Sequence, residues 1–233
     1  MRVLGLVPAR GGSRRVPGKN LAVLGGRTLV RRALETCAGA RRLDAIALSS
    51  EDPAILAEAD GLDGVLAIER PAELAGDTAL AYDVAVHALD AAQGHAGVRF
   101  DALAIVQCTS PFTEAGDIDA TIELLEQTGA ESAVTITRSD DLAHPLKQKV
   151  LDGNRLLPFL RDDELAPSHT LPELWVRNGA VYCSRTAVLA GGRLLGSDVR
   201  ALPMPRERSL DINAPLDLAF AEFLLRRLQD ASP

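Results

Sequence analysis

The sequence predicts an α/β protein built on a Rossmann-like, doubly wound and mostly parallel sheet. Three observations predict it. Short apolar runs alternate with longer amphipathic segments along most of the 233 residues, the rhythm of repeated βαβ units. A hydrophobic fraction of 47% with only 3% aromatic residues supplies an aliphatic core large enough for one such domain. Glycine-bearing and charged clusters fall just after the apolar runs, where open α/β sheets bind ligands.

Taken in order, Val3–Val7 reads as a buried strand. Thr28–Cys37 reads as a helix with Thr28 as its N-cap. Ala45–Leu48 is a strand, Pro53–Ala59 a short helix opened by proline, and Val65–Ile68 a strand. Ala79–Ala92 carries apolar residues on one helical face. Leu103–Gln107, Ala115–Thr128 and Ala133–Thr137 continue as strand, helix and strand. The alternation then stops from 139 to 177, where Pro145, Pro158, Pro167 and Pro172 punctuate the chain. Within that stretch Asp152-Gly153-Asn154, between Val150-Leu151 and Leu156-Leu157, reads as a hairpin. We read 139–177 as an inserted arm and 1–138 with 178–233 as the α/β domain. Arms of this kind exchange between subunits, so a homodimer is expected. Ala180–Cys183 and Ala201–Met204 resume the strands, and Pro215–Leu228 is an amphipathic final helix.

Composition narrows the function. A net charge of −7 argues against a nucleic-acid partner. Cys37, Cys108 and Cys183 form no paired spacing, which excludes a zinc framework and fits a reducing cytoplasm. The first apolar run is too short for a signal peptide or a membrane span.

The strongest local signal is the segment from Val7 to Asn20. Ala9, Gly11, Gly12 and Ser13 give a loop whose backbone N–H groups can approach an anion. Arg10, Arg14, Arg15 and Lys19 supply countercharge. Placed after the first strand, such a loop is a phosphate site, and a nucleoside triphosphate is the expected ligand. It is not a Walker A loop, because Asn20 follows Lys19 where a metal-binding hydroxyl is required. The dinucleotide pattern of spaced glycines is also absent. Three further clusters follow strands: Glu69–Ala79 with Arg70, Gln107–Pro111, and Ser209–Asn213. Asp211 and Asn213 alternate onto one face, and their oxygens suit Mg²⁺.

These segments resemble those of the acylneuraminate cytidylyltransferases, the CMP-sialic acid synthetases. Val7-Pro8-Ala9-Arg10-Gly11-Gly12-Ser13 with Pro17-Gly18-Lys19-Asn20 is similar to the family's phosphate loop. Arg70–Ala75, Gln107 with Thr109-Ser110-Pro111, Asn178–Tyr182 and Leu210-Asp211-Ile212 match in order. The resemblance implies transfer of CMP from CTP to a small anionic acceptor with release of pyrophosphate. It implies that Arg10, Ser13, Arg14 and Lys19 hold the triphosphate, and that Asn20, Arg70 and the Ala79 backbone contact cytidine. It also implies Gln107 on the acceptor, Mg²⁺ on Asp211, and Lys147 of the arm lent to a neighbouring subunit's site. Arg10, Lys19 and Asp211 are the expected catalytic residues. The chain departs from the pattern at Cys108, where the family has proline, at Arg14 for lysine, and at Asn213 for a second aspartate. Pro167–Pro172 lacks the arginines expected in the arm, and Leu194-Leu195 stands for paired phenylalanines. Two acceptor classes therefore stay open, a nonulosonic (sialic-type) acid and a small phosphonate such as phosphonoformate. The reading from another class is a non-catalytic CTP-binding dimer.

Overall fold

The computed structural model describes residues 1–13, 16–76, 78–140, 143–160 and 167–230. Seven strands form one sheet in the order β11-β7-β10-β6-β1-β4-β5. These are β1 (Val3–Pro8), β4 (Ala45–Ser50), β5 (Val65–Glu69), β6 (Ala102–Val106), β7 (Ser132–Arg138), β10 (Trp175–Arg185) and β11 (Val199–Pro203). All neighbours are parallel except at β10, which runs antiparallel to both β6 and β7.

Side-chain alternation along β1 sorts the core into two layers. Val3 and Val7 point to one face, where they pack with α1 (Leu29–Gly39) and α4 (Ala115–Thr128). Leu4 and Leu6 point to the other face, against α3 (Ala81–Ala96). Both faces are covered, as a parallel sheet requires. Thr28 caps α1 as expected, its hydroxyl accepting from Arg31 N–H at 3.1 Å. The α3 helix runs past the expected Ala92, because Gly94 is tolerated inside it. It ends only at Gly97, whose φ of 65° provides the left-handed cap. In place of one helix over Pro53–Ala59 there are α2 (Pro53–Leu56) and a 3₁₀ turn over Ala57–Ala59.

Three pieces were not expected. A two-strand hairpin, β2 (Val23–Leu24) and β3 (Arg27–Thr28), turns on Gly25 and Gly26 with φ of 59° and 79°. A short helix, α5 (Thr186–Ala190), follows β10. Strand β10 itself starts at Trp175, inside the stretch read as the arm, so the sheet extends to the arm's root. The arm's hairpin is as expected, with β8 (Lys149–Asp152) paired to β9 (Arg155–Pro158) across Gly153. The final helix is α6 (Pro215–Asp230). No helix among the described residues is long and apolar enough to cross a membrane.

The connections from β1 move outward through β4 to β5 and then return to β6 on the other side of β1. This reversal opens a crevice between the C-terminal ends of β1 and β6, the position where such sheets take ligands.

Candidate active site

A cavity of about 550 Å³ opens at that crevice. Arg10, Ser13, Lys19, Asn20, Arg70, Ala79 and Gln107 line it. Residues from three separate loops are thus gathered at one place, and they are three of the four loops singled out by their position after strands.

The first loop is pinned at several points. Ala9 is buried, and its N–H donates to the Ser49 carbonyl at 3.0 Å, which prolongs the sheet. Asn20, 6% exposed, donates from Nδ2 to the Arg10 carbonyl at 2.8 Å. Its Oδ1 accepts from the Cys108 thiol at 3.1 Å. The Asn20 carboxamide, expected on cytidine, therefore braces the loop. Gly11 also differs from expectation. Its N–H, read as a phosphate donor, donates to Glu51 Oε1 at 2.8 Å, and the Ser13 N–H turns back to the Gly11 carbonyl at 3.0 Å. A β-carbon at Gly11 would press on the Asp52 carboxylate at 2.6 Å, so that side chain would have to move. Gly12 has open space around its α-carbon, so nothing there obstructs a ligand's approach to the backbone. Arg14 lies outside the described residues.

Arg70 is buried at 6% exposure, which rules out a solvated surface arginine. Its Nη2 donates to the Ser49 carbonyl at 2.7 Å and its Nε to Ser49 Oγ at 3.2 Å. Burial pulls the guanidinium below its ordinary value; the Glu51 carboxylate opposes this and Arg10 adds to it. The Ala79 N–H donates to the Gly76 carbonyl at 3.1 Å.

The segment Ser209–Asn213 is held beside these loops by other tethers. Arg208 grips the buried Asp117 of α4 with two bonds of 2.6 and 3.1 Å. That hydrogen bonding, and the charge behind it, raise the Arg208 guanidinium above its ordinary value. Asn178 donates from Nδ2 to Ser209 Oγ at 3.0 Å. Ile212 N–H donates to the Thr109 carbonyl at 2.9 Å, and Lys19 Nζ donates to the Ile212 carbonyl at 2.7 Å. The phosphate-type loop, the loop after β6 and the Asp211 segment are thereby joined directly.

For a divalent cation the donor set is oxygen, the chemistry Mg²⁺ requires. Asp211 provides a carboxylate. Gly179, with φ of 83° in the irregular stretch of β10, leaves open the space in front of it. A β-carbon there would lie 3.6 Å from Ser110 Oγ and 4.0 Å from Asp211 Oδ2. Ser110 Oγ is buried and without a hydrogen-bond partner. The residues fit such an ion. Asn213 donates from Nδ2 to Asp211 Oδ2 at 2.7 Å, which ties the two side chains together. Its N–H, with that of Ala214, caps onto Asp217 at the start of α6. No group of three or more His, Cys, Asp or Glu side chains able to hold a metal occurs among the described residues.

Among the lining residues, the sequence reading gave no role to Arg177 and Tyr182, and noted Leu194 only as standing where phenylalanine was expected. Arg177 and Tyr182 come from the antiparallel strand β10, far along the chain from the first loop. The signal that could have found them was present in Asn178–Tyr182, a matched segment to which no role was given. Burial raises the Tyr182 phenol; Arg177 opposes this and Asp211 adds to it. Lys147 sits in a 3₁₀ turn of the arm and does not line this chain's own cavity.

Comparison with known proteins places this geometry. The family described as cytidylyltransferase matches residues 4–182. The chain is 27% identical over 233 residues to the CMP-N,N'-diacetyllegionaminic acid synthase of Legionella pneumophila, covering 99% of each. It is 30% identical to the 3-deoxy-manno-octulosonate cytidylyltransferase of Xanthomonas campestris, over 78% of this chain and 76% of that one. In structure it is similar to a CMP:2-keto-3-deoxy-manno-octonic acid synthetase complexed with CTP. The TM-score is 0.70 at 16% identity, with 98% of this chain and 100% of that chain covered. This last likeness is one of fold.

Proposed function

The chain belongs to the cytidylyltransferase family, and from that premise we propose that it couples CMP to a nonulosonic acid, with the cavity at the β1/β6 crevice as the active site. It is a nucleotidyltransferase that uses CTP. The observation that carries the reading is the convergence of Arg10, Lys19, Arg70 and Gln107 on one cavity whose floor is the β1/β6 crevice.

The chemistry is positional. A hydroxyl oxygen of the acceptor attacks the α-phosphorus of CTP in line. The bond from that phosphorus to the bridging oxygen breaks, pyrophosphate leaves with the electron pair, and the hydroxyl proton is released to solvent. Arg10 and Lys19 neutralise charge that grows on the departing pyrophosphate. Gly12 with its backbone and Ser13 with its hydroxyl carry the phosphates. Arg70 and the Ala79 carbonyl frame the cytosine. Asp211, with the Ser110 hydroxyl near it, would hold Mg²⁺, which when bound would draw charge off the phosphoryl oxygens. Asp211 also orients the acceptor hydroxyl.

The acceptor end is built from Gln107, Arg177, Tyr182 and Leu194. An arginine beside a neutral amide and a phenol suits a carboxylate attached to a hydroxyl-rich ring. The two curated relatives named above act, by name, on acids of that kind, which favours this acceptor over a small phosphonate. The arm completes the reading. Val150, Leu151, Leu156 and Leu157 on its hairpin are exposed, as are Phe159 and Leu160 beyond it. Such a patch on a projecting hairpin fits a second copy of the chain, and that copy would receive Lys147. Three free, buried cysteines suit a reducing cytoplasm.

The test is pyrophosphate release from CTP and Mg²⁺ with a panel of nonulosonic acids and small phosphonates. Turnover confined to nonulosonic acids is expected. Turnover with phosphonoformate alone reassigns the acceptor. CTP binding without turnover on any acceptor supports the non-catalytic reading.

A further inference from the structure

Cys108 occupies the position where the resembled motif carries proline, and nothing in the reaction above uses it. Its side chain lines the cavity yet is only 2% exposed. The thiol reaches Asn20 Oδ1 at 3.1 Å. On its other side, Asn20 Nδ2 reaches the Arg10 carbonyl at 2.8 Å. A carbonyl only accepts, so the Asn20 amino group must face Arg10 and its oxygen must face the sulfur. The proton between Sγ and Oδ1 is then the thiol's.

We infer that Cys108 is a positioning residue for nucleotide binding: its S–H fixes the Asn20 carboxamide, which in turn fixes the Arg10 peptide in the phosphate loop. The inference rests on the reading of this loop as the CTP site. The bond needs the thiol's proton. A thiolate at this place would set two acceptors against each other. Proline at 108 could not make the bond at all, so this chain holds its loop by a contact that the resembled motif lacks.

The neighbourhood explains why one weak bond matters. Cys108 precedes Thr109, whose carbonyl anchors Ile212, and Lys19 adjoins Asn20 and holds Ile212 from the opposite side. The thiol is therefore next to the junction of all three loops. If the carboxamide turns over, it presents its amino group to the sulfur and its oxygen to the Arg10 carbonyl, two acceptors face to face. The loop must then shift before it can take the triphosphate.

The experiment is titration calorimetry of CTP with Mg²⁺ against four proteins: wild type, Cys108→Ser, Cys108→Ala and Cys108→Val, each with its Tm. Wild-type binding tests the parent reading; the ratios among variants test this one. Serine keeps a donor and is expected to bind within about twofold of wild type. Alanine, without a donor, is expected to weaken CTP binding by about fivefold, the effect of one ordinary hydrogen bond. Where Cys108→Ala does not fold, Cys108→Val replaces it in the same comparison. A purely structural role would lower Tm in all variants and would not separate serine from alanine or valine in affinity. Equal affinity of serine and donor-free variants overturns the inference, whether both are weak or both unchanged.

Discussion

Lys19 carries three donors on one ammonium, and one of them holds the Ile212 carbonyl at 2.7 Å. The residue thus joins the phosphate loop to the Asp211 segment while it lines the cavity. Lys19→Ala is expected to raise the KM for CTP about tenfold and to lower kcat as well, because charge neutralisation and loop junction are lost together. Steady-state kinetics with varied CTP check this, and unchanged values would take the loop out of the site. Asp211→Ala is expected to reduce Mg²⁺-dependent turnover by about 100-fold or more; retained activity would move the metal elsewhere. Lys19 was legible in the sequence as a member of the loop that lines the cavity, since its chemistry shows in a short window. Asn20 was legible as a member of the loop, but not in its bracing part. That depends on Cys108, which is 88 positions away and which no local pattern links to it. Arg177 and Tyr182 were missed for a similar reason: their face of the strand is set by the irregular stretch after Arg177, and a break in register reverses which residues point inward.

At the scale of elements, most of the parallel sheet could be read from alternation, because a buried strand needs a short apolar run and a covering helix needs a longer amphipathic one. The antiparallel strand β10 was harder. Its first residues, Trp175 to Arg177, are exposed and carry no apolar run, so the sequence places them in the arm. The β2–β3 hairpin is two residues a side and too short for alternation to show, although Gly25-Gly26 marks its turn. That turn lies under α6, and a β-carbon on Gly25 would overlap Leu225 as well as oppose the φ of 59°. Gly25→Ala is therefore expected to cost about 1–2 kcal/mol of stability. Urea unfolding measures it, and an unchanged midpoint would contradict the docking of α6 on this turn.

For the molecule as a whole, burial makes a pH-dependent contribution to stability. Cys37, Cys108 and Cys183 are each pushed up to about 12 by burial, and Tyr182 is raised as well. In the unfolded chain thiols ionise near 8.5. Between there and about 12 the unfolded state releases protons that the folded state keeps, so stability is full below that window and falls as pH rises through it. Urea midpoints at pH 7, 9 and 10.5 are expected to decline from pH 9 upward; a constant midpoint would contradict the assigned burial. The assembly was legible only as an expectation. The apolar hairpin is evident in sequence and exposed in structure, with Leu151 at 69% and Leu156 at 67%. Leu151→Asp with Leu156→Asp is expected to leave a monomer by analytical ultracentrifugation, and to lower activity if Lys147 serves the neighbouring site. A wild-type protein that sediments as a monomer would refute the dimer. The central claim is that one crevice, floored by β1 and β6, seats CTP with its phosphates on the loop that starts at Ala9. A crystal structure of the protein with CTP and Mg²⁺ tests it most directly. The account expects the triphosphate against Gly12, Ser13 and Lys19, with the base beside Arg70 and Ala79. A nucleotide bound anywhere else would contradict it.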